Sequence, residues 1–295
     1  MNKIIIEDNL TERLDCYLNN LHKDYSRTYF QNMIKDGKVL VNSKKVHPSY
    51  KAKKDDVIEY EIEETAPITL KAEKIPLDII YEDDDIIVIN KQADLVVHPS
   101  YGHETGTLLN ALLYHFKNKI SPFMVHRLDK DTTGAIIFAK NEKAKVSLSK
   151  QFQKRTINKT YIAAVTGAVL EENGRIEAPL GRSLANRKII EVGPLAKKMA
   201  ITEFKVLSRN RDMSLLQVHI ITGRTHQIRS HMKYIGHPVL GDIAYGGSDH
   251  IGDMKFTRQM LHSYRIIFTH PVTSKQMDLV APLPKDMKKI ADIKL

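Results

Sequence analysis

The stretch VHRLDKDTTGAIIFAK, residues 125–140, sets His126, Arg127, Asp129 and Asp131 immediately ahead of a glycine and a short apolar run. Charged groups on a loop with a strand behind them form an arrangement in which a rigid element holds reactive side chains in place. Asp129 could act as a nucleophile or as an acid/base if a cation pairs with it. Arg127 could contact phosphate or fill the space left by a displaced base. The same residues would equally serve as a turn-ordering Asp and a structural ion pair.

Outward from this stretch the chain gives strand-like DIIYEDDDIIVINK, then LVVHPS and a helix at TGTLLNALLYHF. Downstream come a basic helix near EKAKVSLSKQFQKR, the strand TYIAAVTG, and further strands through FKVLSR, MSLLQVHI and HSYRIIF. The succession is neither a regular βαβα alternation nor a repeat. It predicts an α+β fold on a mixed, largely antiparallel sheet. Along TYIAAVTG, alternation sends Tyr161 and Ala163 to one face and Ile162 and Ala164 to the other. Tyr161 would stack on a base, transfer a proton, or simply pack in the core.

A second polar cluster lies in HIITGRTHQIRSHMKYIGHPVLGD, residues 219–242. Arg224 follows a strand end, and residues 226–235 read as a helix bearing Arg229, His231 and Lys233. Arg224 could pair with a carboxylate or bind phosphate. The spacing of His219, His226, His231 and His237 matches no zinc signature, so no metal is expected. No GxGxxG fingerprint, GxxxxGK[ST] loop or GxSxG elbow is present, which argues against a nucleotide cofactor and common hydrolase chemistry.

The 295 residues include 42% hydrophobic and 27% charged side chains and carry a formal charge of +10. A long apolar span and a secretory leader are both missing, so a cytoplasmic protein is expected. Cys16 is the single cysteine, which excludes an intrachain disulfide and a multi-cysteine zinc site. The basic balance, concentrated in residues 13–54 and again in 130–160, favours a polyanionic partner.

The opening segment reads as a small module. TERLDCYLNNL, residues 11–21, places Leu14, Tyr17, Leu18 and Leu21 on one helical face with Thr11 as a possible cap. SRTYFQNMIKDG suggests a second helix starting at Ser26 and ending at Gly37, and VLVNSKK and DDVIEYEIEE read as strands around an Asn-Ser turn. Such a module would expose Arg13, Arg27, Lys44 and Lys45 to a phosphate backbone. The expected organisation is a module over 1–64, a linker over 65–77 containing two prolines, and a larger domain over 78–290. A monomer is expected, since no partner helix is apparent.

Four segments in order carry a resemblance: LVVHPS at 95–100 with GTLLNALLYH at 106–115, HRLDKDTTG at 126–134, KTYIA at 159–163, and TGRTHQIRSH at 222–231. With them, the chain from about Pro76 to Pro284 resembles the catalytic domain of the RluA/RluD family of pseudouridine synthases. Residues 11–64 resemble the ribosomal S4 RNA-binding domain often placed before it. The resemblance implies isomerisation of uridine in structured RNA without metal, nucleotide or other cofactor. It implies Asp129 as the essential aspartate, Tyr161 as the aromatic beside the uracil, and Arg224 as the basic partner of Asp129. His126 and Arg127 are similar to loop residues that accompany base flipping. Large-subunit ribosomal RNA is the implied partner, although some relatives modify tRNA; an inactive RNA-binding assembly factor is the alternative that intact Asp129, Tyr161 and Arg224 argue against. One departure is NKQADLVVHP, where Gln92 and Asp94 replace the family's usual Pro and Gly.

Overall fold

The computed structural model describes residues 2–22, 25, 27–62, 71–99, 105–186, 188–193 and 196–291. It divides the chain into two units, Met1–Thr69 and Leu70–Leu295. In the first, β1 (Asn2–Ile5) precedes α1 (Leu14–Leu21) and α2 (Arg27–Lys35), which are followed by β2 (Val39–Val41), β3 (Lys44–Lys45) and β4 (Val57–Tyr60). The strands form one antiparallel sheet in the order β1-β4-β2-β3. Asn42 and Ser43 both have positive φ, the backbone of a two-residue hairpin turn whose twist matches its strands. Leu14, Leu18, Phe30 and Ile34 from the helices meet Val39 and Ile58 from the sheet, forming a separate core.

Two details of this unit differ from the sequence reading. The cap of α1 is Arg13 rather than Thr11, and it makes no side-chain cap bond. Strand β1 escapes a reading by pattern because Asn2–Ile5 is mostly exposed and offers no inward-outward alternation. The Ser26 cap lies outside the described residues.

The second unit begins with β5 (Ile79–Glu82), β6 (Ile86–Lys91), α3 (Leu108–His115), β7 (Phe123–Met124), β8 (Thr133–Ala139) and α4 (Glu142–Lys154). It continues through β9 (Asn158–Thr166), β10 (Asn173–Arg182), β11 (Ile190–Val192), β12 (Lys198–Arg209), β13 (Met213–Ile220) and α5 (Gln227–Tyr234). The small pair β14 (His250–Ile251) and β15 (Met254–Lys255) precedes β16 (Leu261–Thr269), β17 (Gln276–Val280) and α6 (Lys285–Ala291). Among the described residues the main sheet has 11 strands, in the order β11-β10-β12-β13-β9-β16-β8-β6-β5, with β17 on β16 and β7 on β8. Its pairings are antiparallel except where β16 runs parallel to β8. The fold is therefore α+β on a mixed, largely antiparallel sheet.

Both sheet faces are covered. Leu108 and Leu112 of α3 and Ile228 and Met232 of α5 pack with Tyr161, Ala163 and Val165, whereas Ile162 and Ala164 turn toward Met287 and Ile290 of α6. This is the alternation expected for β9. Helix α3 starts at a capping box in which the Thr107 hydroxyl accepts from Asn110 N and the Asn110 side chain accepts from Thr107 N. Of the stretch read as a linker, residues 65–70 lie outside the described residues, and 71–77 belong to the second unit. There Glu73 N donates to Asn110 O, Asn110 Nδ2 donates to Lys71 O, and Ile75 and Leu77 pack against the core.

The parallel crossing of β8 and β16 is tight. Gly134 stands opposite Ser263 at φ +107°, and a Cβ there would lie 2.2 Å from the Ser263 carbonyl oxygen. Only a glycine lets the two backbones approach this closely. That approach fixes the strand on which the 126–132 loop ends.

Candidate active site

The loop before β8 is held from several sides. Thr132 N donates to Asp129 O, Arg258 Nη1 donates to Asp131 O, and Gln259 Nε2 donates to the Thr132 hydroxyl. Lys91 is buried at the end of β6, where its ammonium donates to the carbonyls of Gln92 (2.8 Å), Leu95 (2.9 Å) and Lys130 (2.7 Å). Burial pulls this lysine down to about 7, against the attraction of Asp131 and Asp129. The three carbonyls tie the 92–95 turn to the residue that follows Asp129.

Asp129 projects into a cavity of about 470 Å³ that Arg127, Lys159, Tyr161, Arg224 and His226 also line. It is the only carboxylate on that wall among the described residues. Its basic partner is Arg229, whose Nη1 donates to Asp129 Oδ2 at 3.0 Å. The rest of the Arg229 fork is fixed on buried Asp242, through Nε at 2.6 Å and Nη2 at 2.8 Å. Burial disfavours the Arg229 charge, but the bonds and charge of Asp242 and Asp129 outweigh it and raise its pKa further. The guanidinium lies 4.6 Å over the Tyr245 ring.

This corrects the expectation for Arg224. Its Nε donates to Met199 O at 3.2 Å, and among the described residues it has no ion pair with Asp129. The reason is local. The Gln227 side-chain oxygen accepts from both Arg224 N and the Thr222 hydroxyl, while its amide donates to Ile201 O and Thr202 Oγ1. These bonds pin the turn so that Arg224 stays on the cavity rim, and α5 then carries Arg229 inward beside buried Ile228 and Met232. The helix pattern over 226–235 does not single out Arg229, which stands about 100° round the helix from Ile228, at the flank of the apolar stripe.

Tyr161 is buried on β9, in the core and on the cavity wall. Burial drives its phenol well above the usual range, a shift that its hydrogen bond with Ser263 only partly offsets. It is a neutral phenol beside Asp129. Leu128, Ile220 and Ile228 supply the adjoining apolar lining.

His126 lines the same cavity, but its imidazole is engaged in the fold. Its Nε2 accepts the Ile137 backbone N–H at 3.0 Å, and its ring packs on Phe152 at 4.8 Å between centroids. Burial, with the nearby Lys159 charge, pushes it down to about 3, so it is a neutral acceptor rather than a cation. Arg127 is exposed, lines the cavity beside Asp129, and makes no hydrogen bond or ion pair among the described residues. Two further lining residues are given no catalytic role by the sequence. Lys159 lies 5.5 Å from the Phe152 ring and is lowered to about 8 by burial. His226 has Nε2 3.8 Å from Asp129 Oδ1 and Nδ1 2.8 Å from the Tyr245 hydroxyl.

In the first unit, Arg13 and Arg27 are not free cations. Both bond the buried carboxylate of Asp15, with Gln31 donating to it as well. They remain partly exposed, 41% and 44%, so each can still present a guanidinium edge. Lys44 and Lys45 are exposed on β3. Among the described residues, the one group able to share a metal ion is Asp83, Asp85 and His270. It does not line the cavity, and Asp83 already accepts from Tyr81, His270 and two backbone N–H groups at the β5–β6 turn.

Residues 85–234 match the family model described as RNA pseudouridylate synthase, and residues 12–58 match the S4 domain. An uncharacterized RNA pseudouridine synthase of Bacillus subtilis, YlyB, is 40% identical, with 99% of this chain and 98% of that protein aligned. Ribosomal large subunit pseudouridine synthase D of Vibrio parahaemolyticus is 41% identical over 95% of this chain and 90% of its own length. Among solved structures, human RNA pseudouridylate synthase domain containing 1 shares 28% identity with a TM-score of 0.60, covering 72% of this chain and 86% of that one. The chain thus belongs to the RluA/RluD-like RNA pseudouridine synthases with an N-terminal S4 domain, enzymes that isomerise uridine to pseudouridine in RNA.

Proposed function

We propose that the protein modifies specific uridines of large-subunit ribosomal RNA in the cytoplasm, with Asp129 starting the reaction. The observation that carries the catalytic part is Asp129, the one carboxylate lining the cavity among the described residues, bonded to Arg229 and flanked by Tyr161. A stacked uridine must leave its helix to bring its glycosidic bond to such a recessed group. Arg127, exposed at the rim, would support the distorted RNA, and Tyr161 would orient the uracil. Asp129 then promotes cleavage of the N1–C1′ bond, by attack at C1′ or by removal of a ribose proton. Arg229 keeps the carboxylate ionised and aimed. The uracil turns in the cavity and rejoins through C5.

In this reading the module over residues 1–64 supplies RNA affinity, with Lys44, Lys45 and the exposed edges of Arg13 and Arg27 facing phosphates. The domain over 78–290 supplies the chemistry. Large-subunit RNA is favoured over tRNA because several relatives at 39–41% identity are named ribosomal large subunit pseudouridine synthase D. Pseudouridine mapping of ribosomal RNA and tRNA from cells with and without the protein tests this. Sites lost from large-subunit RNA, and regained on complementation, are the expected result; losses confined to tRNA would move the substrate to that class.

A further inference from the structure

His226 is held in a costly way for a residue with no assigned role. It sits at the start of α5 with φ 52° and ψ 24°, a left-handed conformation, and makes no side-chain cap bond. For a residue with a Cβ this costs on the order of 1–3 kcal/mol and persists where the surroundings enforce it. Here the enforcement is visible. The ring meets the buried Tyr245 ring edge-on at 5.7 Å, and Nδ1 bonds the Tyr245 hydroxyl at 2.8 Å. The other edge lines the cavity, with Nε2 3.8 Å from Asp129 Oδ1.

Behind the ring, the Tyr245 oxygen accepts Ile190 N–H at 2.9 Å. The bond between His226 Nδ1 and Tyr245 serves either tautomer; when Nδ1–H donates to the Tyr245 oxygen, Nε2 faces the cavity as an unprotonated acceptor. That tautomer is the one a base at this position uses.

We propose that His226 is a second catalytic residue, the base that removes the C5 proton from the rejoined uracil, oriented by Tyr245. The proposal rests on the reading that Asp129 starts the reaction at the ribose. Once C5 is bonded to C1′ it still carries its hydrogen, next to the ribose on which Asp129 acts. The C5–H bond then breaks. Its electron pair forms C5=C6, the C6=N1 π pair returns to N1, and N1 takes up a proton. One proton has passed from C5 to N1, with no other reactant.

The remaining groups near Asp129 suit this step poorly. Arg229 and Arg127 cannot accept a proton. Tyr161 is a buried neutral phenol, and Asp129 is already assigned to the step at the ribose. Lys159 lies against Phe152 and His126. The charged groups facing His226 are Asp129, Arg229, Asp242 and Arg127, and burial outweighs the carboxylates to lower its pKa. The imidazole is thus unprotonated at neutral pH and able to act as a base.

The test compares wild type, H226Q and Y245F on large-subunit ribosomal RNA from cells lacking the protein, made with protium or deuterium at uracil C5. Wild type should form pseudouridine with little C5 isotope effect. H226Q should bind the RNA normally, turn over about 10²–10⁴-fold more slowly, and show a full primary C5 isotope effect because proton loss has become limiting. Y245F keeps the ring in the cavity and covers the case in which H226Q fails to fold; it should give a smaller loss with the same isotope signature. H226Q turnover within a few-fold of wild type, or slow variants with no C5 isotope effect, would overturn the proposal while leaving the Asp129 reading intact. Wild type inactive on this RNA and on tRNA would overturn both.

Discussion

Arg229 joins two aspartates, donating from one edge to Asp242 and from Nη1 to Asp129. Asp242 is buried, so the arginine cannot turn away from it without leaving a buried charge unpaired, at a cost of about 3–5 kcal/mol. The arginine is therefore a fixed mount for Asp129. The carboxylate at the centre of the cavity inherits its aim from a side chain that a second, deeper carboxylate holds in place.

Arg229→Lys keeps one positive charge but loses the fork that spans both carboxylates. Turnover should fall about 100-fold or more, the scale expected when a reacting group is misplaced by about 1 Å. RNA affinity should change little. Arg224→Ala should do the reverse, raising KM while leaving turnover at saturating RNA within a few-fold of wild type. Steady-state kinetics of the two variants separate the mount from the rim, and equal losses in turnover would place Arg224 in the chemistry after all.

Gly134→Ala should destabilise the second unit by about 1–3 kcal/mol or more, since the new methyl would meet the Ser263 carbonyl at 2.2 Å in a backbone conformation unfavourable to alanine. Denaturant unfolding measures it. A variant as stable as wild type would show that β8 and β16 can separate freely.

Asp15 is buried, and burial alone would raise its pKa. The bonds from Arg13, Gln31 and Arg27 prevail and lower it from 3.8 to about 2. A carboxylate depressed on folding gives stability that is complete above its unfolded pKa and is lost as pH falls through the folded one. The first unit should therefore lose stability between about pH 4 and pH 2. Asp15→Asn should be less stable at neutral pH and should not show this acid-dependent loss. Parallel slopes for both proteins in that window would contradict the assignment.

If Lys44 and Lys45 face phosphates, replacing both with Gln should weaken RNA binding about equally for every sequence. The slope of log affinity against log salt should shrink by about one for each phosphate no longer neutralised. An unchanged slope would assign the phosphate-binding role to other cations of the module.

Much of this was legible in the chain. The 125–140 stretch placed Asp129 on a loop braced by a strand, and the period of TYIAAVTG put Tyr161 on the same face as Ala163. What escaped was long-range. Arg224 and Arg229 lie five residues apart in one polar segment, and which of them faces inward depends on how Gln227 locks the turn to β12. His126 reads as a loop cation, yet its ring is spent on the backbone of a strand eleven residues away. His226 stands within TGRTHQIRSH, but nothing in that segment shows which way its ring faces, because that depends on a left-handed backbone and on Tyr245, nineteen residues further on. Strand β1 failed for a simpler reason, its side chains being largely exposed.

Under the proposed function Asp129 does the chemistry and Arg229 only aims it. The most direct test is to measure pseudouridine at the protein's own sites in ribosomal RNA from deletion cells complemented with wild type or Asp129→Asn, alongside RNA binding by the two purified proteins. Asp129→Asn should bind RNA with near wild-type affinity and restore no pseudouridine. Restoration of the sites by Asp129→Asn would contradict this role for Asp129.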